Sequence, residues 1–213
     1  MSARILIVGF SVTEGGFGAK LKNALLHAGL ASEVDVVGLG GNHPQGLMYL
    51  FDTVGSDQTY DHIVFEINTS DFRKYKSGAA AVFPFLVLAA KTRARGAEPL
   101  FINLPRGDVD PETDDTGRLR GIGLDRMDVA NLDIDRQAYA HFGADVMRET
   151  FFKDDGYFVH PHGVNEDWLV RQSTEALSAV IGRPAGKTDL DLANSFSVLR
   201  LSDLRPDLPV YDF

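Results

Sequence analysis

A three-layer α/β/α sandwich with a central parallel sheet is the fold class that the sequence predicts. Four short runs rich in β-branched and aliphatic residues, Ile5 to Val8, Val34 to Val37, Ile63 to Ile67 and Leu100 to Leu104, have the length of buried strands. Segments with helical spacing separate them, and a strand–helix–strand alternation closes into right-handed crossovers with helices on both faces. At 213 residues and 44% hydrophobic, the chain can bury one substantial core, so a single domain is expected.

The elements follow in order. After Ile5 to Val8 comes a glycine-rich loop and then a helix with Leu21, Leu25 and Ala28 on one face. Val34 to Val37 leads to a helical stretch at Leu47 to Val54, and Ile63 to Ile67 leads to a helix at Ala79 to Arg95. Beyond Leu100 to Leu104, the polar, Asp- and Gly-rich region Gly107 to Ala130 reads as a long surface excursion with short helical turns, forming one wall of a cleft. A last helix is expected over Val164 to Ile181, with Trp168, Leu169, Ala176, Leu177, Val180 and Ile181 on one stripe and Asn165 capping its start. Gly182 and Pro184 close it. The domain is therefore set at residues 1–183, and residues 184–213 form a tail. That tail either packs across the domain or serves as a contact arm in a homo-oligomer.

Composition removes several function classes. The net charge is -9, and basic residues are scattered apart from Lys91 to Arg95, so nothing offers a footprint for a phosphate backbone and no nucleic acid is expected. Without cysteine the chain has neither disulfides nor a thiol nucleophile. Ile5 to Val8 is too short for the apolar part of a secretory signal, and the longest apolar stretch, Ala79 to Ala90, contains Pro84 and falls short of a membrane span. A cytoplasmic protein with no membrane partner is expected.

Parallel sheets place their sites at the carboxyl ends of the strands, which directs attention to four loops. The first is Gly9-Phe10-Ser11-Val12-Thr13-Glu14-Gly15. It has neither the G-x-G-x-x-G spacing of a dinucleotide site nor the G-x-x-x-x-G-K-[ST] spacing of a phosphate loop, and Thr13 stands where a G-x-S-x-G elbow has glycine. Taken alone, Ser11 serves equally as a nucleophile or as a turn residue. The second loop, Gly38-Leu39-Gly40-Gly41-Asn42, leaves backbone N–H groups open to a ligand or simply makes a turn. The third is Glu66-Ile67-Asn68-Thr69-Ser70-Asp71, and the fourth, before the last helix, is Asp154-Asp155-Gly156-Tyr157-Phe158-Val159-His160-Pro161-His162-Gly163.

In this order the loops resemble the blocks of the SGNH/GDSL hydrolases. Gly9, Ser11, Thr13 and Gly15 match G-D-S-x-T-x-G with Phe10 departing, and the Gly40 loop resembles the second block. The third loop resembles G-x-N-D, with Asn68 and Ser70 at the positions of its glycine and asparagine. His160-Pro161 resembles the end of D-x-x-H-P, although Tyr157 stands three residues before the histidine and Asp155 five. The resemblance covers residues 4–182 and implies a flavodoxin-like fold in which Ser11 attacks an ester carbonyl, His160 is general base and Asp155, or its neighbour Asp154, orients the histidine. It further implies an oxyanion hole formed by the Ser11 and Gly40 N–H groups and a side chain of the third loop. Asn68 brings the better donor chemistry and Ser70 the better alignment.

The substrates implied are small acyl esters, foremost acetyl groups on carbohydrates, and no cofactor is expected. Transfer of the acyl group to a sugar hydroxyl, or an inactive binding domain of the same fold, are the alternatives. A metal pair at His160 and His162 lacks a third ligand at a suitable spacing, and the acidic Asp108 to Asp115 stretch lacks the glycine and terminal Glu of a calcium loop, so no metal is expected either. Phe83, Phe85, Phe151 and Phe152 are expected in the core.

Overall fold

The computed structural model describes residues 2–70 and 79–181. Asp71, the domain limit at 183 and the tail 184–213 lie outside the described residues. Five parallel strands, β1 Ala3–Gly9, β2 Ala31–Gly38, β3 His62–Glu66, β4 Glu98–Asn103 and β5 Ala130–Asp133, form one sheet in the order β2-β1-β3-β4-β5.

Side chains alternate across a strand, and β1 shows what this does to an apolar run. Ile5 and Ile7 enter one core cluster, while Leu6 and Val8 enter the other; all four are fully buried. The first cluster joins them to Leu21 and Leu25 of α1 (Gly18–His27), Ile134 and Ala138 of α5 (Ile134–Phe142), Met147 of α6 (Ala144–Glu149), and Leu169 and Leu177 of α7 (Gly163–Ser178). The second joins Leu6 and Val8 to Leu47 of α2 (Pro44–Leu50), to Phe85 and Leu86 of α3 (Ala79–Ala94), and to Leu119 and Leu124 of α4 (Asp115–Arg126). The three-layer arrangement follows from this split. No helix among the described residues is long and apolar enough to cross a membrane.

Three expectations are corrected. The polar stretch Gly107 to Ala130 contains a twelve-residue helix, α4. Gly123 serves packing: a Cβ there would lie 3.1 Å from Leu86 Cδ2 and 3.3 Å from Val82 Cγ1, so α4 lies close against α3. Asn165 does not cap α7; His162 holds the cap position, and the Asn165 amide donates to the Phe151 carbonyl at 2.8 Å. Phe83 is exposed on α3, whereas Phe85, Phe151 and Phe152 are buried.

Candidate active site

The turn that carries Ser11 leaves β1 at Gly9. The chain is helical from Ser11, widens into a π-turn at Thr13–Phe17 with Gly16 at φ 141°, and continues as α1. The Ser11 N–H therefore stands at an open helix N-terminus, where backbone donors are unfilled. Gly9 is required here: a Cβ would lie 1.9 Å from Thr13 Oγ1 and 2.8 Å from the Glu66 carbonyl oxygen. Phe10, where the family pattern has aspartate, is fully buried in the second core cluster.

His160 Nε2 lies 2.8 Å from Ser11 Oγ, across 149 residues of chain. On the other side of the ring, Nδ1 bonds Asp155 Oδ2. A carboxylate can only accept, so Nδ1 carries the proton and Nε2 of the neutral ring is left to accept from the serine. The Asp155 carboxyl is raised by its desolvation, but bonds from the Tyr157 N–H and from His160 outweigh that and hold it below the usual aspartate value.

The five-residue spacing is made possible by a hairpin. Phe152 and Pro161 form an antiparallel bridge, the Lys153 N–H donates to the His160 carbonyl at 2.8 Å, and the His162 N–H donates to the Phe151 carbonyl at 3.1 Å. Beyond Lys153 the chain bulges, turning through Gly156 at φ 79° and Phe158 at φ 55°. Asp155 Oδ1 accepts the Tyr157 N–H at 3.0 Å, which folds the bulge back so that Oδ2 faces the histidine. The Gly107 N–H anchors the tip through the Phe158 carbonyl at 2.9 Å. It is Asp155, and not its neighbour Asp154, that bonds His160 Nδ1.

The third loop is arranged differently from the chemical preference for Asn68. The Asn68 side chain is buried and pairs with the backbone of Leu104 at the end of β4: Nδ2 donates to its carbonyl at 2.7 Å and Oδ1 accepts its N–H at 3.0 Å. Its amide thus fastens the β3 loop to β4. Asn68 and Thr69 both lie in the short turn Asn68–Ser70, and Ser70 is also buried. Gly40 follows Leu39, whose N–H donates to the Gly9 carbonyl at 2.9 Å, so the β2 loop runs alongside the Ser11 turn. A Cβ at Gly40 would lie 1.9 Å from Glu14 Oε2. A cleft of about 240 Å³ opens beside the serine, lined by Ser11, Val12, Gly15, Lys153, Asp155, His160, Pro161 and Glu166. Sequence reasoning did not single out Lys153 or Glu166, since neither occupies a motif position.

The fold is shared with solved esterases and GDSL-like lipases. TesA superposes with a TM-score of 0.67 at 18% identity, covering 83% of this chain and 98% of that one. Axe2, an acetylxylan esterase from Geobacillus stearothermophilus, gives 0.60 at 17% identity, covering 85% and 95%. The lipase/acylhydrolase from Enterococcus faecalis gives 0.60 at 15% identity, covering 87% and 100%. At these identities the likeness is one of fold. No family model matches the chain, and no curated protein matches it.

Proposed function

We propose that this protein is a serine esterase that removes small acyl groups from alcohols, with Ser11 as nucleophile, His160 as general base and Asp155 as the group that orients the histidine. The observation that carries the reading is the continuous chain from Asp155 through His160 to Ser11 Oγ. Serine becomes nucleophilic when a base takes its proton, and the carboxylate fixes the tautomer that can do so. The spacing differs from that in Axe2, whose catalytic mutants change an aspartate and a histidine three positions apart. The bulged hairpin is what lets a carboxylate five positions away fill the same role.

In the first half-reaction Ser11 Oγ attacks the ester carbonyl as its proton passes to His160 Nε2. The tetrahedral oxyanion is held by the Ser11 and Gly40 N–H groups with the Ser70 hydroxyl as third donor, Asn68 being committed to Leu104. His160 then protonates the leaving alcohol, and the acyl-enzyme is hydrolysed by water activated at the same Nε2. The cleft is smaller than a drug-sized pocket, and Lys153, Asp155 and Glu166 put charged groups on its wall, which favours a short acyl group on a hydrophilic alcohol such as a sugar.

Purified protein is expected to hydrolyse a nitrophenyl acetate and an acetylated xylo-oligosaccharide, with both activities abolished in Ser11→Ala and His160→Ala. Unchanged hydrolysis in Ser11→Ala would overturn the reading.

A further inference from the structure

Glu66 ends β3 beneath the turn that carries Ser11, and it is fully buried. A carboxyl inside a sheet is costly unless its lone pairs are filled, and here the donors come from two loops at once. Thr13 Oγ1 donates to Oε2 at 2.8 Å, and Thr69 Oγ1 donates to Oε1 at 2.5 Å. The backbone N–H groups of Phe10 and Thr13 donate to the same carboxyl. Phe10 and Thr13 bracket Ser11 along the chain, and Thr69 immediately precedes Ser70. Gly9 stands in register with Glu66, with no side chain to hold the turn away from β3.

We propose that Glu66 is a positioning residue: its carboxylate clasps the nucleophile turn to the loop that carries Ser70, and so fixes the directions of the Ser11 N–H and Oγ. What the clasp serves rests on the esterase reading, whereas the clasp itself is a set of hydrogen bonds. The strongest influences on the carboxyl are its burial and the hydroxyl and N–H donors just named. Burial pushes Glu66 up to about 7, against the pull of the donors from Thr69, Thr13 and Phe10. Once protonated, one carboxyl oxygen becomes a donor, and the Thr13 or Thr69 hydroxyl must turn to accept from it. The clasp is tightest when Glu66 is ionised.

Two measurements test this. Amide hydrogen exchange across Gly9 to Glu14 is compared in the wild type, Glu66→Gln and Thr13→Val at about pH 8. Exchange at the Phe10 and Thr13 amides is expected to be about tenfold faster in Glu66→Gln and raised less in Thr13→Val, with the core strands unaltered. Unchanged exchange in these variants overturns the clasp whether or not the protein has activity, and Thr13→Val supplies the answer should Glu66→Gln fail to fold. In parallel, the rate of Ser11 labelling by a fluorophosphonate is followed against pH. Labelling is expected to be about tenfold slower in Glu66→Gln, with the component of the profile centred near pH 7 lost and KM for the ester held within about twofold. Identical profiles in wild type and Glu66→Gln overturn the positioning role. A wild type whose Ser11 does not react counts against the esterase reading, and the exchange measurement then decides the clasp by itself.

Discussion

Asp155 shows how much a single residue can owe to the shape of the loop that carries it. Its carboxylate uses one oxygen to fold its own loop through the Tyr157 N–H and the other to hold His160. Asp155→Asn keeps the size of the side chain but offers an amide where Nδ1 requires an acceptor, so the wrong tautomer is favoured. A fall in kcat on the order of 10²- to 10⁴-fold is expected, with KM little changed, measured on a nitrophenyl ester. Asn68 carries an opposite expectation. Asn68→Ala removes both partners of the buried Leu104 backbone and is expected to cost about 2 kcal/mol in urea unfolding, much of it from groups left unpaired. If the folded fraction retains its kcat, Asn68 is a fastening residue and not an oxyanion donor.

Among the elements, the strands that read most plainly in the sequence are the ones covered on both faces. The inner strands β1, β3 and β4 read as unbroken apolar runs because helices cover both of their faces. β5 is not legible because it is an edge strand of four residues, Ala-Asn-Leu-Asp, whose Asn131 and Asp133 side chains bond the Asn103 amide instead of entering a core. α4 is hidden by its glycines, which in sequence signal a loop, whereas in the fold Gly123 permits close contact with α3. Gly123→Leu would drive a side chain into Leu86 and Val82, and a loss of about 2 kcal/mol is expected by denaturant unfolding. In the candidate site, Ser11, His160 and Asp155 were legible because the order of the loops was informative. The destination of the Asn68 amide was not, because it depends on where β4 ends in space.

Across the whole molecule, the pH dependence of stability reports the buried acids. Burial raises Glu66 to about 7 in the folded chain, whereas the unfolded value is near 4.5. Between those values the folded state keeps a proton that the unfolded state has released, so stability is greatest below the window, falls as pH rises through it, and levels above about 7. The total is about 3 kcal/mol, and Glu66→Gln is expected to flatten this part of the curve in urea melts from about pH 4.5 to 8. Asp135, which burial raises to about 6, adds a loss of the same sign that is complete at lower pH. Asp155 acts in the other direction: its lowered value contributes stability that is lost only as pH falls below the ordinary aspartate range. The condition that best holds the serine turn is thus the one in which the core beneath it is least stable.

The hairpin between Phe152 and Pro161 gives this arrangement a mechanical simplicity. Asp155 and His160 ride on the same small loop, whereas Ser11 belongs to the sheet and its first helix. A displacement of the hairpin carries acid and base together, like a hand moving with its wrist, and alters a single gap, the one between Nε2 and Oγ. On the esterase reading, readiness for attack then has one coordinate, and the attachments of the hairpin through Gly107 and Asn165 are where that coordinate is set.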